Sequence, residues 1–313
     1  MSFQININDY SNENCRKCSK EERDTLIQDG ICSSVLSVID NLPVRCIGKW
    51  GFEKIYMLSQ YFGIFAEGMK KQWKNLNYIE ICSGPGMCII KEDGKEINGT
   101  PLQILKHQKF EYISRAVFID NNEIVKNALN SRIQNMGVSN AIAINGDYTD
   151  DTELVEIIIN KINLKSLNLV FIDPTDWSVP FNLIRNLNKA ISRIDFIINI
   201  ATGTDFNRNV RNVILEKNKF ERLRTKYISF LDGEDFFLDQ RVIKFAQEKK
   251  YKEIRALFRD YYLNKLSSIG YKYTNGSTIR NYYDIVFASK HPKGLDFWNK
   301  AQKYDSFGQK SLF

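Results

Sequence analysis

The sequence has 313 residues, with 44 basic and 37 acidic side chains and a formal net charge of +7. Its hydrophobic content of 43% excludes a disordered or collagen-like chain and leaves material for one large or two modest packed domains. The longest apolar runs, such as Leu169–Ile172 and Phe196–Ala201 (broken by Asn199), fall far short of the roughly 18 residues of a membrane span. Met1–Tyr10 carries no Lys or Arg, so the reading is a soluble cytoplasmic protein with no signal peptide and no membrane association. The positive balance permits a nucleic acid partner, with the excess read as spread along the chain.

Residues 1–45 form a polar, Cys-bearing leader. Cys15-x-x-Cys18, followed by Cys32 and Cys46, offers four thiolates to a zinc ion, because the C-x-x-C bite supplies two of them in register. Equally, Cys32 and Cys46 serve as small buried hydrophobes. Asp40-Asn41-Leu42-Pro43 is turn chemistry that closes the leader. From Phe52 onward, Ile55, Leu58, Phe62, Phe65 and Met69 recur at helical spacing and predict one core-facing helix stripe.

Short apolar runs then end in turn residues. Tyr78–Cys82 leads to Ser83-Gly84-Pro85-Gly86, Ala116–Ile119 to Asp120, and Ala141–Ile144 to Asn145-Gly146-Asp147. Leu169–Ile172 leads to Asp173-Pro174, and Phe196–Ile200 to Ala201-Thr202-Gly203-Thr204-Asp205. Amphipathic stretches such as Glu123–Met136 and Asp151–Ile162 lie between them. This alternation predicts an α/β fold, a doubly wound and mainly parallel Rossmann-like sheet over about 46–300. Residues 207–269 read as a charged helical insertion. Tyr283–Ser289 reads as a last strand before an exposed tail that includes 301–313.

Ligands of such sheets bind beyond the carboxyl ends of the strands. Glu80, Cys82, Gly84 and Gly86 mark the first turn as a nucleotide-type cofactor site, where missing side chains let the backbone approach the ligand. Ile89 stands where a third glycine would complete a G-x-G-x-x-G fingerprint, which weakens dinucleotide binding and a nicotinamide-dependent oxidoreductase. An acid inside the strand, Glu80, favours S-adenosylmethionine. Asp120 is placed to accept ribose hydroxyls, or to cap the next helix; Asp147 is placed to accept an adenine amine, or to cap a turn.

Asp173-Pro174-Thr175-Asp176-Trp177 is similar to the turn by which amine-modifying methyltransferases hold a target nitrogen. There an acid or amide precedes two prolines and an aromatic, whereas here Thr175 replaces the second proline and the aromatic comes one place later. Asp173 would orient the amine and Trp177 would stack a planar substrate, unless Trp177 packs inside. Pro174, Asp205, Arg208 and Asn209, with Thr202, are candidate substrate contacts. His107 and His291 have no catalytic motif around them, and His291-Pro292 reads as a turn.

Further motifs carry a resemblance. Ile81-Cys82-Ser83-Gly84-Pro85-Gly86, Gly99-Thr100-Pro101-Leu102, Phe171-Ile172-Asp173-Pro174 and Phe287-Ala288-Ser289-Lys290-His291-Pro292 with Phe297-Trp298 resemble the three-Cys-motif partner protein family, TcmP. Gly48-Lys49-Trp50-Gly51-Phe52-Glu53-Lys54 is similar to that family's segment before its first helix. The resemblance spans about 46–300 and implies a Rossmann-like methyltransferase-type fold and a second protein, the one with the three cysteines, as partner. Thr175-Asp176 departs from the family's pattern. The terminal Gln309-Lys310-Ser311-Leu312-Phe313 looks like a sliding-clamp-binding peptide, with Gln309 as polar anchor and Leu312 and Phe313 entering a groove. The expected function is an S-adenosylmethionine-dependent methyltransferase acting on nucleic acid; the alternative is a non-catalytic scaffold for the partner.

Overall fold

Buried apolar runs and amphipathic stretches do alternate, as the sequence predicts. The computed structural model describes residues 7–15, 18, 31–32, 34–202, 206–279 and 283–303. It divides into two units: Met1–Gly146, Lys161–Leu169 and Asp296–Phe313 form the first, Asp147–Asn160 and Val170–Leu295 the second.

In the first unit, strands β1 (Ile7–Ser11) and β2 (Arg45–Ile47) precede helix α1 (Trp50–Met69). Then come β3 (Leu76–Ile81), β4 (Met87–Ile90), β5 (Lys95–Asn98) and α2 (Thr100–Leu105). The segment β6 (Arg115–Asp120), α3 (Glu123–Asn135) and β7 (Ala141–Asn145) completes the order. All six residues of β3 are buried, and β3 and β7 each pair in parallel with β6. Burial of every residue is what a parallel strand covered on both faces requires.

The stripe read from the sequence is the buried face of α1. Its Phe62 packs edge-on against Tyr78 and His107, with ring centroids 5.6 and 5.2 Å away. His107 lies over Gly63, where an added Cβ would stand 2.8 Å from the imidazole. Burial pushes its pKa down to about 4, so the ring stays neutral.

A second, four-stranded sheet has the order β1-β5-β4-β2 and is not foreseen by the pattern of long apolar runs. Polar groups hold it to the leader. The buried carboxylate of Glu96 accepts hydrogen bonds from Asn12 Nδ2 (2.9 Å), Ser37 Oγ (2.6 Å) and the Val38 N–H (2.9 Å). Buried Arg132 of α3 donates to both oxygens of Asp40 (2.7 and 2.8 Å) and to the carbonyls of Pro43 and Pro85. Full pairing of this kind is what makes a buried guanidinium tolerable.

The second unit begins with α4 (Asp151–Ile159) and takes up the chain again within β8 (Leu167–Ile172). It continues with α5 (Phe181–Ala190) and β9 (Ile194–Ile200). The segment 207–269 is helical as expected: α6 (Asn207–Leu215), α7 (Glu221–Leu231), α8 (Asp235–Leu238), α9 (Gln240–Gln247) and α10 (Tyr251–Ser268). Strand β10 (Tyr273–Ile279) pairs antiparallel with β11 (Tyr283–Ser289), which pairs antiparallel with β9. The seven strands of the main sheet run in the order β10-β11-β9-β8-β3-β6-β7, a doubly wound order that reverses at β3.

The chain does not pass into an exposed tail after β11. His291 Nδ1 accepts from the Lys293 N–H, and Pro292 opens helix α11 (Pro292–Ala301) at the position where its missing N–H costs nothing. Trp298 is fully buried 5.6 Å from Tyr61, and Phe297 closes over Gly68. Gln309, Leu312 and Phe313 lie outside the described residues.

Candidate active site

The turn after β3 is built by its backbone. Cys82, Gly84 and Gly86 take φ angles of 64°, 70° and 91°, three left-handed residues at alternate positions. Glycine adopts this region freely, whereas Cys82 does so at about 1–2 kcal/mol and is held by its neighbours. The Ser83 N–H donates to the Ile119 carbonyl (2.9 Å), and the Gly84 N–H to Asp120 Oδ2 (3.0 Å). Asp120 Oδ1 accepts from the Asn122 N–H at 3.1 Å. Burial raises the Asp120 pKa, against the opposing pull of those two N–H groups and of the Arg45 charge. The cap of α3 is the Asn122 side chain and not Asp120, which leaves Asp120 to the turn.

The two glycines differ. Among the described residues a Cβ on Gly84 would meet only Arg45 Cδ and Nη1, at 3.8 Å, so its open side has room for a ligand. A Cβ on Gly86 would stand 2.8 Å from Leu129 and 3.1 Å from Leu102, so its missing side chain serves packing. Glu80 is fully buried; Tyr78 Oη donates to its Oε2 at 2.8 Å and Thr100 Oγ1 to its Oε1. The Gly99 N–H donates to the Gly86 carbonyl at 2.7 Å. Hence Glu80 and the Gly99-Thr100 pair brace the turn from inside.

In the second unit, exposed Asp147 Oδ1 accepts from Thr149 N–H (2.8 Å) and Oγ1 (2.7 Å), which is the turn-capping alternative. Asp173, half-buried at the end of β8, accepts from Asn199 Nδ2 at 2.7 Å. The same Nδ2 lies 3.4 Å from the Pro174 carbonyl. Asn199 Oδ1 and Thr202 Oγ1 are buried without a hydrogen-bond partner among the described residues. A buried acceptor left unfilled is costly, and at a strand's carboxyl end it suits a ligand N–H. Asn199 had one visible signal: it is the polar break in an otherwise apolar run.

Trp177 takes the packed alternative. It is fully buried, with ring centroids 4.1 Å from Phe258, 4.3 Å from Tyr227, 5.0 Å from Phe206 and 5.6 Å from Phe230. The turn around it is fixed by Lys226 Nζ on Asp176 (2.5 Å) and by Ser178 Oγ on Tyr148 Oη (2.8 Å). Arg208 is exposed and Asn209 half-buried on α6, while Asp205 lies outside the described residues.

No disulfide joins the cysteines. Burial pushes Cys46 up to about 12, and repulsion from Cys32, Cys18 and Cys15 adds to it; Cys15 is raised by burial, Cys32 and Cys18. Among the described residues, however, no three His, Cys, Asp or Glu side chains are arranged to hold a metal ion.

The charge is not spread along the chain. Residues 207–269 hold 15 Lys and Arg against 9 Asp and Glu, so +6 of the net +7 sits in the helical insertion. Among the described residues no helix is long and apolar enough to cross a membrane.

No protein-family model matches the sequence, and no curated protein matches it either, so the TcmP resemblance rests on the quoted motifs alone. Solved structures do show likeness. Protein LPL1258 from Legionella pneumophila aligns at 11% identity over 84% of this chain and 95% of its own, with a TM-score of 0.45. Magnesium protoporphyrin IX methyltransferase from Synechocystis, solved with bound SAH, aligns at 11% over 75% and 84%, with a TM-score of 0.35. An O-methyltransferase family protein from Burkholderia thailandensis aligns at 11% over 76% and 58%, with a TM-score of 0.36. By its own strand order, with β11 antiparallel between β9 and β10, the chain has the doubly wound α/β fold of the Rossmann-like methyltransferases.

Proposed function

We propose that this protein binds S-adenosylmethionine and methylates an amine nitrogen of a nucleic acid. The observation that carries the reading is the turn after β3: three left-handed residues, an open side at Gly84, and Asp120 fixed against the turn by Gly84 and Asn122. The carboxylate retains lone pairs for ribose hydroxyls, so the residues fit an adenosyl ligand. When bound, that cofactor supplies an electrophilic methyl group on a sulfonium. Asp173, held by Asn199, accepts an N–H of the target amine and orients its lone pair; the unfilled Asn199 Oδ1 offers a second acceptor. The concentration of +6 in the helical insertion supports a phosphate-bearing substrate.

Calorimetric titration with S-adenosylmethionine, with NADH alongside, tests this. Binding of the first alone is expected, weakened on the order of 100-fold in Asp120→Ala, the scale of losing charge-assisted hydrogen bonds. Undiminished affinity in the variant would overturn the assignment.

A second reading, a non-catalytic scaffold for a partner protein, is favoured by the burial of Trp177, which leaves the β8 turn without a stacking aromatic. It requires a complex that forms equally well with Asp173→Ala. Zinc binding by Cys15, Cys18, Cys32 and Cys46 has no support from their arrangement, and elemental analysis against Cys15→Ser would decide it. Clamp binding through Gln309, Leu312 and Phe313 would be lost on deleting Gln309–Phe313.

A further inference from the structure

Strand β2 brings a cation to the glycine turn. Arg45 pairs in register with Cys88 of β4, two residues beyond Gly86, and its side chain is half-buried. Its Cδ and Nη1 lie 3.8 Å from the point where a Cβ on Gly84 would sit, the only side-chain atoms of the described residues within 4 Å of that point. Among the described residues no carboxylate forms an ion pair with it, and Asp120 feels its charge from beyond contact distance while keeping both oxygens on backbone N–H groups. Two other buried arginines, one in each unit, contrast with this. Arg132 is saturated by Asp40 and two carbonyls, and Arg224 by Glu234 and the Val213 carbonyl.

A guanidinium without an ionic partner, half removed from water and beside the open face of a left-handed glycine, is a ready anion receptor. Its planar fork matches a carboxylate through two parallel N–H bonds. We infer that Arg45 binds the carboxylate of the cofactor's amino acid end, in front of Gly84, while Asp120 serves the ribose.

This rests on the S-adenosylmethionine reading and adds to it a division of labour. Asp120 recognises what all adenosyl compounds share. Arg45 separates those that carry a carboxylate from those that do not. Positions 45 and 84 to 86 belong to one unit of the fold, so the receptor is complete within it.

The experiment compares S-adenosylmethionine with decarboxylated S-adenosylmethionine, which keeps the sulfonium and the ammonium and lacks only the carboxylate. Both are titrated into the full-length protein and into Arg45→Ala and Arg45→Lys, with thermal melts confirming that each variant is folded. The intact protein should prefer the carboxylated ligand by about 10- to 100-fold, the range of a hydrogen-bonded charge pair. Arg45→Ala should abolish that preference and leave the affinity for the decarboxylated ligand unchanged. Arg45→Lys should retain part of it, because an ammonium supplies the charge without the fork. Equal weakening of both ligands would show that Arg45 acts only by supporting Asp120, and would overturn the assignment. An unchanged preference in Arg45→Ala would overturn it too. If the intact protein binds neither ligand, the cofactor reading itself fails and the role of Arg45 fails with it.

Discussion

Two turns at strand ends are made by opposite means. The turn after β3 takes its shape from the backbone, through left-handed Cys82, Gly84 and Gly86 and one carboxylate that receives an N–H. The turn after β8 takes its shape from side chains, through Trp177 in an aromatic cluster and Asp176 on Lys226. A backbone-shaped turn leaves the space in front of it empty for a ligand. A turn shaped by side chains sends its largest group inward and leaves only its strand-proximal residue, Asp173, to meet a ligand. The same motif vocabulary of acid, proline and aromatic thus has different consequences depending on what anchors it.

The sharpest way to break this comparison is Trp177→Ala. Removal of a fully buried indole from contact with four rings should cost about 3–5 kcal/mol and lower the melting temperature by about 10 °C. A melt that stays put, with activity lost, would return Trp177 to the substrate.

The glycines separate the two functions within the first turn. Gly86→Ala meets Leu129 at 2.8 Å in a left-handed backbone, so a loss of about 1–3 kcal/mol in chemical denaturation is expected. Gly84→Ala finds room and pays only for its left-handed backbone, so its stability should fall by about 1–2 kcal/mol while cofactor binding measured by calorimetry suffers most. Reversed behaviour of the pair would mean that the ligand approaches Gly86 instead.

The smallest effect sharpens the picture further. Cys82→Gly removes the penalty of a left-handed non-glycine residue and should stabilise the protein by about 1 kcal/mol, less the entropy that glycine adds to the unfolded chain. Retained binding in that variant would show that the thiol takes no part.

Most of the main sheet was legible because β3, β6, β8, β9 and β11 are largely buried runs, a signal that survives in a short window, whereas half-exposed β10 was not foreseen. Tyr283–Ser289 appears at the predicted bounds, and Ala141–Asn145 differs by one residue. The small sheet was not legible. Lys95–Asn98 reads as polar, and Glu96 is buried there only because Asn12 and Ser37 arrive from more than fifty residues earlier to bond it. Trp177 failed for a similar reason, since the rings that enclose it belong to helices up to eighty residues later. Asp120 and Gly84 were identifiable one by one, but their hydrogen bond and the cation beside them were not. Arg45 carries no motif, and only the pairing of β2 with β4 brings it to the turn.

Helix α11 has a consequence for how the chain acquires its structure. The unit that contains the glycine turn is discontinuous: it needs Asp296 onward as well as its first 146 residues. Trp298 fills the space beside Tyr61, and Phe297 closes over Gly68, from more than two hundred residues away. On the ribosome, the unit that holds the glycine turn must therefore wait with part of its core open until the second unit has been synthesised. High sequence separation of this kind slows folding and lengthens exposure of apolar surface. A truncation at Ser289 should accordingly yield an aggregation-prone first unit, even though every residue of its candidate site is present.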